Sequence, residues 1–180
     1  INPDVSSCRG VSSGERQGVS LGERRRAHGH HALISTLGPR WPTSAAASVY
    51  SRSGEAIAHA AWAASLDRVL VTSSALLYPS PAWSHALLRW LVSPIVDHAT
   101  RMEQHITGSA CGWTVLRTTF LADGERACVC TVDGLPLRAP AVDRRAVARF
   151  IVDELARGAY RQQIVGLSGA PPGGPSTRRS

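Results

Sequence analysis

The stretch Arg68 to Ser74, RVLVTSS, is a short run rich in β-branched residues that closes on hydroxyl side chains. Such a run reads as a strand buried on both faces. Upstream, residues 53–65 are alanine-rich, with Ile57, Ala60, Ala61 and Ala64 on one helical face and Ser53 where an N-cap would stand. Small side chains on that face let a neighbouring element approach closely. Before them, Ala32, Leu33 and Ile34 run into Ser35, Thr36, Leu37, Gly38 and Pro39. That is a buried strand and the loop leaving its C-terminal end. Strand, helix, strand in this order implies a parallel crossover unit, and with it an α/β fold.

The alternation continues downstream. Pro79 and Pro81 mark a loop, and residues 84–108 are mostly helical around Pro94. Proline lacks an N–H to donate to the preceding turn, so two helices or one broken helix fit equally. Trp113 to Arg117 (WTVLR) is the next strand, and Ala127 to Val132 alternates as another before the turn residues Gly134 and Pro136. Asp143 is placed to cap a helix whose Val147, Phe150, Ile151, Glu154 and Leu155 recur at helical spacing, with only Glu154 polar. Gln163 to Leu167 is a last short strand. The expected organisation is one domain over residues 31–169, a poorly ordered Ser/Gly/Arg-rich segment over 1–30, and a loose tail over 170–180.

The 180 residues suit one domain, and 43% apolar residues suffice for a core. All twenty basic residues are arginine, which removes a Schiff-base lysine, a P-loop lysine and a lysine general base. The formal charge of +7 is scattered, with runs only at Arg24 to Arg26 and Arg178 to Arg179, so no nucleic-acid partner is expected. The four cysteines contain no CxxC, and the expectation is buried thiols in a reducing compartment. His28, His30 and His31 lack an acidic or cysteine partner at ligand spacing, so no metal is expected. With no apolar stretch of about 18 residues and no secretory leader pattern, a cytoplasmic protein away from membranes is expected. The five tryptophans are spread along the chain and are expected in core or rim packing.

Five segments in order, LISTLGPR, RVLVTSSALLY, DHATRMEQHI, WTVLRTTFLADG and VDRRAVARFIVDEL, resemble the atypical short-chain dehydrogenases with an NmrA-like NAD(P)H-binding domain. The flavin reductase and biliverdin-IXβ reductase group is the most similar. The resemblance covers about residues 31–168 and implies a Rossmann-like, doubly wound parallel sheet. In such proteins a glycine-rich turn after the first strand opens a helix whose N-terminal amides bind the pyrophosphate. Here Gly10, Gly14, Gly18 and Gly22 have no apolar strand before them and no amphipathic helix after. The expectation is therefore a truncated or altered front end, lacking the first βαβ unit and leaving apolar sheet edges exposed.

Open parallel sheets bind ligands beyond the carboxyl ends of their strands. That rule makes Leu37, Gly38, Pro39 and Arg40, then Thr72, Ser73 and Ser74, then Thr118, Thr119 and Phe120 the candidate cofactor-binding residues. Gly38 and Pro39 permit a tight bend and Arg40 could meet a phosphate, the plainer alternative being an ordinary turn. The hydroxyls of Thr72 to Ser74 could equally satisfy loop backbone. The resemblance places a serine near the nicotinamide and substrate, which names Ser74 for orientation, and Arg101 or His98 for charge or proton supply. Surface helix residues are the alternative for those two. The Tyr-x-x-x-Lys pair of standard short-chain dehydrogenases is impossible without lysine, and Tyr78 has no basic partner nearby in sequence. Thr118, Thr119 and Phe120 stand where relatives often carry a proline-containing turn. The resemblance implies NADP or NAD as cofactor, weakened or lost without a glycine loop. The implied activity is hydride transfer to a flavin, tetrapyrrole or similar small-molecule conjugated acceptor. The alternative is a non-catalytic dinucleotide-responsive regulator or an inactive remnant.

Overall fold

The computed structural model describes residues 30–39, 43–78, 83–124, 127–132 and 140–170. The expectations for 1–29, Arg40, Trp41 and 171–180 lie outside these residues. In chain order the elements are β1 (Ala32–Ser35), α1 (Ser44–Ala63), β2 (Arg68–Ser74), a single 3-10 turn (Ala75–Leu77), α2 (Trp83–Leu91), α3 (Ser93–Thr107), β3 (Gly112–Thr118), β4 (Phe120–Ala122), β5 (Cys128–Val132), β6 (Ala141–Asp143), α4 (Arg144–Arg157) and β7 (Gln163–Gly169).

The main sheet has the order β1-β2-β3-β7-β5. The first four strands are mutually parallel, and β5 runs antiparallel on β7. The period-two alternation of β2 splits its side chains between two cores. Val69 and Val71 meet α1 and α3 through Ile57, Ala61, Met102 and Ile106. Leu70 joins Leu116, Val165 and Leu167 against Val147 and Ile151 of α4. Helices thus cover both faces, which is why the strands read as apolar runs rather than alternating ones. Full burial of such a side chain contributes about 1.5–3 kcal/mol. The fold is the expected α/β, mostly parallel, Rossmann-like sheet. Among the described residues, β1 is an edge strand paired only with β2.

Three local readings need correction. First, α1 begins at Ser44, not near residue 53, because the alanine run 45–47 favours helix and Thr43 supplies the cap, its Oγ1 accepting from Ala46 N at 3.2 Å. Ser53 is inside the helix, and its hydroxyl donates back to Tyr50 O at 2.9 Å. Second, Cys111 and Cys128 are half-buried but Cys130 is exposed, on β5, an edge strand of the sheet. Third, Trp62, Trp83 and Trp90 are 71%, 78% and 73% exposed instead of packing in core or rim, while Trp113 packs on the core.

Pro94 resolves the region around it into two helices, standing in the first turn of α3 where its missing N–H has no intrahelical partner to lose. Close approach of small residues is realised at Gly54 of α1, where an added Cβ would lie 2.7 Å from Met102 Cα on α3. The short parallel ladder of β4 with β6 was not anticipated, because three-residue strands carry too little pattern to read.

The lone polar residue on the apolar face of α4 also finds its reason. Glu154 is buried and forms an ion pair with Arg68 at the start of β2. Its carboxylate accepts further from the backbone N–H groups of Ala159 and Tyr160 at 3.1 and 2.8 Å. Arg68 Nη1 donates to Gly112 O at 3.3 Å. Burial pushes the Arg68 pKa down and the Glu154 charge opposes that, so the guanidinium stays ionised. Gly158 ends α4 in the left-handed conformation at φ 62°, where a side chain would be strained.

Candidate functional site

Strand register brings three loops to one edge of the sheet. Ser35 aligns with Val71, Ser74 with Thr118, and Thr118 with Leu167. The ends of β2 and β3 are therefore level, and β1 leaves the sheet on the same side opposite Val71, where a parallel sheet takes its ligands.

After β1, Leu37 is 50% exposed, and Gly38 lies so close to α1 that an added Cβ would stand 3.4 Å from Tyr50 Oη. Burial, and then the charge of Glu103, push the Tyr50 pKa up, so this phenol stays protonated beneath the loop. Pro39 is partly buried. At the end of β2 the three hydroxyls divide. Thr72 is half-buried; Ser73 is buried and donates to Glu103 Oε1 at 2.5 Å. Ser74 accepts from Leu76 N at 3.3 Å, capping the 3-10 turn. That bond uses the oxygen as acceptor and leaves the O–H able to donate elsewhere. After β3, Thr118 Oγ1 donates to Ser73 O at 3.3 Å and Thr119 N donates to Leu167 O at 3.1 Å. Phe120 is 67% exposed while its N–H donates to Pro140 O.

Arg101 and His98 are both on α3, away from these loops in sequence. Arg101 is exposed. His98 is half-buried and its Nδ1 pairs with Ser51 Oγ of α1 at 2.9 Å. The structure thus gathers the loop residues along one edge and gives His98 a partner on α1.

Sequence reasoning missed the charged network beneath this edge. Arg117, the penultimate residue of β3, clasps Glu103 of α3 with Nε to Oε1 at 3.1 Å and Nη2 to Oε2 at 2.7 Å. Its guanidinium also lies 4.7 Å from the ring centroid of Tyr78. Tyr78 therefore has a basic neighbour after all, 39 positions along the chain, where no local pattern could show it. One signal was available: Glu103 interrupts the apolar face of Ala99, Met102 and Ile106, as Glu154 does in α4. The network borders a cleft of about 280 Å³ whose walls include Leu77, Arg89, Gln104 and Ile164. Arg89 Nη1 closes one side by donating to Leu76 O.

Among the described residues no group of three His, Cys, Asp or Glu side chains could hold a metal. No helix there is long and apolar enough to cross a membrane.

A mostly parallel sheet, helices on both faces and a hydroxyl-lined strand edge define the Rossmann-type class of dinucleotide-binding domains. The chain belongs to the NAD(P)H-binding family, whose model matches residues 24–157. Solved structures agree on the fold. A short-chain dehydrogenase/reductase from Veillonella parvula in complex with NADP is 18% identical, with 83% of this chain and 67% of that one covered at a TM-score of 0.62. A Rossmann-fold NAD(P)-binding family protein from Shigella flexneri is 16% identical over 88% of this chain and 69% of that one, TM-score 0.64. A Streptococcus pneumoniae protein provisionally assigned as an NADH-flavin reductase is 17% identical over 82% and 75%, TM-score 0.65. No curated protein matches the chain.

The described residues at this edge supply groups of the kind a planar, amide-bearing ring would contact. They offer a hydroxyl able to donate at Ser74, a loop drawn close at Gly38, and exposed apolar side chains at Leu37 and Phe120. Nothing among them is a glycine loop at a helix N-terminus for the pyrophosphate.

Proposed function

We propose that this chain is an NAD(P)H-dependent reductase-like domain that serves a flavin, tetrapyrrole or similar conjugated acceptor. Membership of the NAD(P)H-binding family supports the cofactor. The observation that carries the site is the Ser73–Glu103–Arg117 clasp, which pins the end of β2 to α3 and β3 and so fixes where Ser74 stands. A bound dihydronicotinamide supplies the hydride. The protein's own part is orientation: Ser74 Oγ–H donates to the carboxamide or acceptor, and Leu37, Gly38, Pro39, Thr72, Thr118, Thr119 and Phe120 are assigned to the cofactor at the strand-end edge. Arg40 is assigned to a phosphate. Exposed Phe120 offers a flat apolar surface to a planar acceptor. Arg101, exposed on α3, is assigned to charge at the rim, with His98 the other candidate for proton supply.

A second reading is favoured by one observation: β1 is the sheet edge among the described residues, and no described loop takes the pyrophosphate. It makes the chain a dinucleotide-responsive regulator without turnover, or a remnant that no longer binds.

Titration with NADPH, followed by tryptophan emission and by thermal melting, separates these readings, because a ligand that binds the native state must raise its stability. A saturable quench, a raised Tm and acceptor reduction support the reductase. Binding without reduction of any flavin or tetrapyrrole indicates the regulator, and an unchanged melt indicates the remnant. In the first case Ser74→Ala should lower turnover about fivefold, the equivalent of one hydrogen bond of about 1 kcal/mol. Unchanged turnover would remove Ser74 from the site.

A further inference from the structure

Helix α2 carries an apolar stripe that the rest of the described molecule does not cover. Trp83, Leu87, Trp90 and Leu91 are 78%, 53%, 73% and 67% exposed. Their spacing of four, three and one residues gathers them within about one-third of the helix circumference, the pattern of a helix packed on a partner. The opposite side is the anchored one: Leu88 and Arg89 are half-buried, and Arg89 Nη1 donates to Leu76 O. The stripe is thus held outward by the packing behind it.

We infer that this stripe is a homodimer interface in which α2 packs against α2 of a second copy about a two-fold axis. Area is the first argument. A tryptophan buries about 150–250 Å² when covered, so two tryptophans and two leucines at these exposures present about 500 Å². Covering that from both copies removes about 1,000 Å², the lower bound for a specific protein interface. A contiguous apolar patch of about 500 Å² matches the largest on an ordinary monomer, and such a patch is often functional. Symmetry is the second, because a self-complementary patch with no acidic residue on its helix, and with its arginine drawn inward, meets its own copy without opposing like charges. The same features disfavour a lipid surface as the occupant. Membrane-lying helices fringe their apolar face with lysine and arginine, and α2 offers only Arg89, already engaged. An interface near the lower size bound predicts a dimer that dissociates on dilution, on the order of micromolar.

Sedimentation velocity of the wild-type chain from about 1 to 200 µM tests this. A mass rising from monomer to dimer with concentration, together with a blue shift of tryptophan emission, is the expected result. Leu87→Glu with Trp90→Glu should remain monomeric throughout while keeping the melting temperature that the wild type shows well below its dimerisation midpoint, because both side chains point outward. Should that pair unfold, Leu87→Asn alone should shift the midpoint to at least tenfold higher concentration. A wild type that stays monomeric over the whole range overturns the inference, as does a variant that dimerises like the wild type. Wild-type monomer that instead co-sediments with phosphatidylserine vesicles through Trp90 overturns it in favour of lipid.

Discussion

The sheet buries an arginine–carboxylate pair near each end, and the two differ in what else they hold. At the amino ends of the strands, Arg68 and Glu154 have side chains 5% and 2% exposed, and the carboxylate also accepts from Ala159 N and Tyr160 N. At the carboxyl ends, Arg117 and Glu103 are 16% and 7% exposed and border a cleft, and their partners are a strand-end serine and a tyrosine ring. The first pair is sealed and joins elements to one another. The second is set beside the carboxyl-end loops of the sheet and anchors the end of β2 there. The same two residue types thus serve assembly at one end of the sheet and positioning at the other.

The largest effect that could break this contrast is at the sealed pair. Glu154→Ala leaves a buried guanidinium unpaired and should cost about 3–5 kcal/mol in urea unfolding. Replacing both partners, Arg68→Met with Glu154→Leu, should recover most of it, and a double variant as unstable as the single would show that the pair's value is more than relief of a buried charge. At the open pair, Glu103→Gln should cost less, about 1–3 kcal/mol, because Arg117 retains its place over Tyr78 and some access to water. Its distinguishing effect should be a smaller rise of Tm with NADPH. Equal ligand shifts in wild type and Glu103→Gln would place the clasp outside the site.

Gly54→Ala should cost about 1–3 kcal/mol, since the new methyl group must displace the Met102 backbone and carry Glu103 with it. Loss of stability with an intact ligand shift would mean that α3 can move without disturbing β2. The smallest effect concerns pH. A hydrogen bond with Cys130, followed by burial, pushes the Tyr160 phenol from 10.0 up to about 12. The folded state keeps this proton while the unfolded chain releases it near 10, so stability present below pH 10 should fall as pH rises from 10 towards about 12. Cys130→Ser should keep part of that shift, and Cys130→Ala should shrink the loss of stability between pH 10 and about 12, because the folded and unfolded phenols then titrate closer together.

Much of the fold was legible because its information is local. RVLVTSS announces a doubly covered strand, Pro94 divides two helices, and Glu154 stands out on its apolar face. What stayed hidden depends on residues far apart. The start of α1 was misplaced because Ser53 and Thr43 are both good caps by type, and only packing decides between them. The candidate site was legible as loops at strand ends, by the rule for parallel sheets. Its supporting clasp was not, because Ser73, Tyr78, Glu103 and Arg117 come from four segments. The outward tryptophans escaped notice for the opposite reason: residue type alone argues for burial, and α2 turns two of them to solvent.

The near contact of Gly54 with Met102 makes α1 and α3 a single lever. Tyr50 on one arm lies against the loop after β1 at Gly38, and Glu103 on the other grips the end of β2 through Ser73. Ser51 and His98 pin the two arms a little further along. The loop after β1 and the end of β2 are therefore braced by one packed helix pair rather than by two separate supports.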